Sequence, residues 1–239
     1  MSSTKVRDIC DKDIGDNPSI EEVLLRMQKL YREDPTHAVR SQEFIKTFHH
    51  KLALELYSCL SRKALQRGIK VIEEAPLLGS YKPKDVDIAV VDPYSGPLLT
   101  VGVRSQMSSV GKNVLTYYQD IIGESISLQE RFPMTTMGYV YLHPLNYIDN
   151  GKAKETDVAR YSRLYASIAS RDDRLYKQQT GSYDQFAYVV VDFGSDEPQI
   201  RDDLVRRSVP DVDMSVWTFT ERMVHTFATR NVWLEDLFQ

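Results

Sequence analysis

Between Lys84 and Asn113 the chain reads KDVDIAVVDPYSGPLLTVGVRSQMSSVGKN, and few arrangements suit that pattern. Asp85, Val86, Asp87, Ile88, Ala89, Val90 and Val91 form a β-prone run that stops at Asp92-Pro93, a turn signal. Leu98 to Arg104 supplies the return strand. Side chains alternate across a strand, so Asp85 and Asp87 share one face, and Gly102, Arg104 and Gln106 share one face. Pairing of the two strands sets an acid beside a cation and an amide, a group suited to a metal ion and a phosphate. Ser108-Ser109 then precedes a helix from about Val110 to Glu130, whose Val114, Leu115, Tyr118, Ile121, Ile122, Ser125 and Leu128 make one apolar face.

The flanking segments build a sheet around this pair. Residues 1 to 18 are polar and read as a loose arm. Ser19, with Glu21 and Glu22 behind it, opens a helix through about Arg32 that Asp34-Pro35 ends; Val23, Leu24, Met27 and Leu30 face the core. A longer helix is predicted from roughly Ser41 to Arg67, with Ile45, Phe48, Leu52, Leu56 and Cys59 as its stripe and Gly68 as its stop. Ile69 to Ala75 reads as a strand turning at Gly79 to Pro83. Thr136 to Leu142 and the apolar Gln185 to Phe193 are further strands. Asn150 to Tyr183 is a charged segment with a helix at roughly Thr156 to Ala169. Asp202 to Arg207 is a short helical turn, and Ser215 to Trp233 an amphipathic helix. The order predicts an α/β fold, a central mixed β-sheet flanked by helices on both faces. An arm and helix over 1–40 precede a single domain over 41–239, which carries a helical insert at about 150–183.

Composition narrows the function classes. The net charge of −4 argues against nucleic-acid binding by bulk charge and leaves room for a local basic groove. Two cysteines, Cys10 and Cys59, show no zinc spacing and no disulfide framework, which fits a reducing compartment. No apolar leader and no bilayer-length apolar run is visible, so a cytoplasmic protein with no membrane partner is expected.

The element order, with acids on one central strand and a cation on the next, resembles the restriction-endonuclease-like nucleases, the PD-(D/E)XK group. In that pattern an aspartate opens one strand and an acid-x-lysine lies on its neighbour. Lys84-Asp85-Val86-Asp87 matches the first element, with Asp87 as the metal-binding aspartate. Gly102-Val103-Arg104 falls on the second, with Gly102 in the place of the acid and Arg104 in the place of the lysine. The resemblance spans roughly Ser41 to Phe193. It implies Mg²⁺ or Mn²⁺ as cofactor, DNA as partner and a homodimer. It also implies a second carboxylate from elsewhere: Glu55 on the preceding helix, favoured, or Glu73 on the first strand. Asp87 and Glu55 are then the metal ligands, and Arg104 and Gln106 complete the catalytic group. Ser108, Ser109, Lys112 and Asn113, at a strand-to-helix junction, contact DNA. The implied activity is a divalent-metal-dependent endodeoxyribonuclease of restriction type. The alternative is a catalytically inactive nuclease-fold protein that binds DNA or a protein, since Gly102 removes a ligand and an arginine cannot readily exchange a proton. A structural α/β protein of another fold is the third reading.

The same residues have plainer readings. Asp87 reads equally as a polar residue on an exposed sheet face, and Arg104 as its structural ion-pair partner. Ser108 or Ser109 serves equally as a helix cap. Glu43 reads as exposed, and Glu55 as a solvated helix residue. His49 and His50, adjacent on a helix without an i,i+4 partner, read as incidental, as do His143 and His225. Arg160, Tyr161, Arg163, Tyr165, Arg171 and Arg174 offer either a nucleic-acid groove or, with Asp157, Asp172 and Asp173, a solvated helix. The C-terminal aromatics suit a core or a dimer seam.

Overall fold

The computed structural model describes residues 6–15, 17–33, 42–149, 151–169, 171 and 181–239. Asp34-Pro35, Ser41, Asn150, Asp172, Asp173 and Arg174 lie outside these residues, as does the side chain of Glu43.

The β-prone runs pair as a meander. β2 (Lys70–Leu78), β3 (Pro83–Asp92) and β4 (Gly96–Ser105) are successive antiparallel neighbours. Helix α5 (Val110–Arg131) then carries the chain over the sheet, so β5 (Thr136–Pro144) lies parallel to β4, and β8 (Gln185–Asp192) parallel to β5. Two-residue strands, β1 (Arg7–Asp8) beside β2 and β9 (Gln199–Ile200) beside β8, complete a seven-stranded mixed sheet among the described residues. β5 is buried along its whole length, as a strand covered on both faces must be.

Each face has its own helical cover. On one face α2 (Ile20–Glu33), α3 (Gln42–Ser58) and α8 (Phe219–Arg230) set Leu24, Met27, Phe48, Leu52, Met223 and Phe227 against Val71, Ile88, Val90 and Val101. On the other, α5, α6 (Val158–Ala166) and α7 (Asp202–Ser208) cover Tyr139, Tyr141 and Tyr188. Ser19 and Glu22 form the reciprocal cap that starts α2: the Glu22 N–H donates to Ser19 Oγ at 3.2 Å, and the Ser19 N–H to Glu22 Oε2 at 2.7 Å. Among the described residues no helix is long and apolar enough to cross a membrane.

The structure departs from the sequence reading in four places. The helix expected to run unbroken to Arg67 stops at Ser58, and α4 (Arg62–Arg67) restarts from a Ser61 cap. At the break Leu60 bridges to Phe238, and the Ser61 N–H donates to the Leu237 carbonyl at 2.9 Å. Within the expected arm Arg7 of β1 pairs with Glu73, and a short helix, α1 (Asp11–Ile14), follows. The charged insert holds a hairpin, β6 (Asn146–Asp149) with β7 (Lys152–Glu155), ahead of α6. The last helix is confined to α8, with a 3-10 turn at Val232–Leu237; Trp217 and Trp233 are 51% and 91% exposed rather than part of the stripe.

Gly102 pairs with Tyr139 across β4 and β5. A Cβ at 102 would lie 2.4 Å from the Tyr139 ring, which is itself wedged against Tyr183 and Phe186. The glycine is therefore a packing requirement. Gly102→Ala is expected to lower stability by about 1–3 kcal/mol through overpacking. Thermal unfolding checks this, with Tyr139→Leu as background: most of the loss should vanish there, and an undiminished loss would refute the steric cause.

Candidate metal centre

The β2–β3 register runs through Glu73↔Ile88 and Ala75↔Val86, which sets Glu74 across from Asp87. The hairpin changes sides at this step. Ile88 and Val90 pack in the core under α3, whereas Val86 packs under α5. Glu74 has φ +54°, a left-handed conformation that costs a non-glycine residue about 1–3 kcal/mol and survives only where the surroundings impose it. The β3–β4 ladder ends at Ile88↔Val101, one step short of Asp87. A backbone N–H freed from a ladder needs another acceptor. Here the Val103 N–H donates to Asp87 Oδ2 at 2.6 Å.

Helix α3 supplies the third group. Phe48 and Leu52 anchor it to the sheet, and His49 is 5% exposed. The His49 Nε2 atom is buried and has no hydrogen-bond partner. Among the described residues, ligand atoms of His49, Glu74 and Asp87 all lie within 4.8 Å of one another.

The electrostatics of this group are unfavourable without a cation. Burial pushes the Asp87 carboxyl up to about 6, against the pull of the Val103 N–H, Lys84 and Arg104. Burial and then Asp87 itself raise Glu74. Burial lowers His49 to about 4, although Glu74, Glu73 and a backbone contact with Val103 favour its charged form. Two neighbouring carboxyls and a neutral imidazole suit a divalent ion, offering one nitrogen and two oxygen donors.

The structure places the expected residues differently. Asp87 joins the group. Glu55 does not: its carboxylate accepts from Thr220 Oγ1 at 2.8 Å and pairs with Lys51 at 3.2 Å, facing α8. Six residues beyond His49, it is about two-thirds of a turn out of phase with it. Glu73 faces His50 Nδ1 at 3.1 Å, so the second carboxylate is Glu74 instead. His49, incidental when read from its own helix alone, stands beside Glu74 and Asp87, which come from the sheet beneath it.

Arg104 lies toward α5, its guanidinium 4.8 Å over the Tyr117 ring and 3.7 Å from Asp120. Its charge still reaches Asp87. Gln106 is buried and its amide is engaged elsewhere. Its Nε2 donates to the Ser109 carbonyl at 3.1 Å, and its Oε1 accepts from the Tyr141 hydroxyl at 3.1 Å. At the strand-to-helix junction the Lys112 and Asn113 N–H groups bond the Ser109 carbonyl, at 3.0 and 3.3 Å. Ser109 makes no side-chain cap; its Oγ points to Asp149 at 3.4 Å, and Asp149 is paired with Lys154. Lys112 is exposed, while Ser108 and Asn113 are half-buried. Tyr161 and Tyr165 are buried in an aromatic cluster with His143, so α6 leaves neither for base stacking, and Arg171 is buried against Asp184 at 2.8 Å.

Comparison with protein-family models, with curated proteins and with solved structures finds no match to this chain.

The raised Asp87 has a stability consequence. Below its ordinary 3.8 the acid is neutral folded and unfolded. As pH rises through that value toward about 6, the unfolded chain releases its proton first and stability falls, by about 3 kcal/mol in total. His49 has the opposite slope: stability falls as pH drops from 6.5 to about 4. Asp87→Asn should therefore make the metal-free protein more stable than wild type at about pH 7.5, by about 1–3 kcal/mol, with the gain gone in acid. Added Mn²⁺ should raise the melting temperature of wild type only. A variant less stable than wild type at neutral pH in chelator would contradict the burial account.

Proposed function

We propose that the protein is a divalent-metal-dependent endodeoxyribonuclease of restriction type, with the cation held by His49, Glu74 and Asp87. The observation that carries this is the convergence of those three donors. It lies on the strand where the nuclease resemblance sets its aspartate, one strand away from Arg104. The antiparallel meander β2–β3–β4, followed by a helix and a strand parallel to β4, supports the same reading.

When bound, the cation polarises the scissile phosphate and lowers the pKa of its water. The chain's own residues set the rest. Asp87 is oriented by the Val103 N–H, and Glu74 by its imposed backbone. Arg104 lies over the Tyr117 ring, with its Nη1 3.7 Å from Asp120. Its permanent charge stabilises the transition state without exchanging a proton. The imidazole donor favours Mn²⁺ over Mg²⁺ as the working ion. Cutting both DNA strands calls for two copies of the chain.

A second reading, a nuclease fold that binds DNA or a protein without cutting, is favoured by Gly102, since the Tyr139 ring fills the space an acid there would need. Supercoiled plasmid separates the two. Nicking is expected with Mn²⁺, less with Mg²⁺ and none in chelator. His49→Ala and Asp87→Asn should each lower the rate about 100-fold or more while melting cooperatively. Intact plasmid with folded, Mn²⁺-loaded wild type would remove hydrolysis and leave the binding reading.

A further inference from the structure

Lys46 lies one turn before His49 on α3, and residues three apart share a helix face. Its Nζ is 4.0 Å from Glu74 Oε1. The Lys46 side chain is 42% exposed and that of Glu74 18%, while His49 behind them is buried. Exposure therefore rises from His49 through Glu74 to Lys46, and this side of the donor group opens to solvent. A metal ion that enters there passes the ammonium.

Three cations act on the acid pair, and they are not equally held. Lys84 and Arg104 act on Asp87 from the side of α5. Lys84 is tied to Glu124, and Arg104 lies over Tyr117 with Asp120 3.7 Å away. Lys46 acts on Glu74 and His49, two of the three donors. It opposes the rise that burial and then Asp87 give Glu74. Its pair with Glu74 is long and half in water, so breaking it costs little. The flexible stem lets the ammonium move away while its charge stays hydrated. A divalent ion held by Glu74 repels it.

We infer that Lys46 is a stand-in cation for the metal: it balances Glu74 in the metal-free protein and is displaced when the ion binds. It is a positioning residue that acts through Glu74, and it sets how tightly the centre loads. The inference rests on the metal centre proposed above.

The test uses the full chain, with Mn²⁺ alone as the probe. Free Mn²⁺ is followed by electron paramagnetic resonance at low ionic strength, and thermal unfolding in EDTA reads the metal-free fold. Lys46→Met should bind Mn²⁺ about 5-fold more tightly or better, since a like charge beside the ion is gone. It should melt no higher than wild type in EDTA, having lost the partner of Glu74. Lys46→Arg, which keeps the charge, should keep the wild-type affinity. Lys29→Met removes an exposed pair of the same 4.0 Å length on α2 and should leave Mn²⁺ binding unchanged. The gain in Lys46→Met should shrink in about 1 M salt, which screens exposed charges. Equal or weaker Mn²⁺ binding by folded Lys46→Met, a higher melting temperature for it in EDTA, or an equal gain in Lys29→Met would overturn the inference and leave the centre standing. Wild type that binds no Mn²⁺ would remove both.

Discussion

One hydrogen bond organises the centre of this molecule: the Val103 N–H to the Asp87 carboxylate, at 2.6 Å. It stands where the β3–β4 ladder has just ended and where the β2–β3 hairpin shifts its apolar residues from one face of the sheet to the other. A strand pair can change faces only by breaking its alternation, and the break leaves backbone groups without ladder partners. Asp87 satisfies one of them. In doing so the carboxyl is drawn out of water, and its raised pKa is the measure of that cost. Glu74 opposite absorbs the remaining irregularity in a left-handed backbone that a glutamate adopts only under constraint.

That break joins two unlike environments. Under α3 the sheet meets a neutral, buried imidazole with an unused nitrogen. Under α5 it meets Lys84 and Arg104. Asp87 stands between the two sides, close to His49 and Glu74 on one and under the charge of Lys84 and Arg104 on the other.

Packing explains why the acids come from β2 and β3 and not from β4. The aromatic layer of Tyr139, Tyr183 and Phe186 lies directly against Gly102 and leaves no room there for a side chain. The second carboxylate is then supplied across the other strand pair, by Glu74. The strand order permits this, since β3 lies between β2 and β4 and carries Asp87 within reach of either neighbour.

The sequence by itself determined the alternation of apolar and polar residues, and with it the strands, the principal helices and the α/β class. These follow from local period and turn chemistry, as in the Lys84 to Asn113 stretch and the Ser19–Glu22 cap. It also marked Asp87, because an acid inside an apolar strand needs a partner. Only the tertiary structure decided which partners. Helical phase turns His49 inward and Glu55 toward α8. Register, not spacing, brings Glu74 opposite Asp87. Neither is readable from a single strand or helix, because both depend on which element lies above which, and on a left-handed residue that no propensity assigns to glutamate. The break at Cys59 to Ser61 has the same origin: its partners, Leu237 and Phe238, are far away along the chain and adjacent only once it has folded.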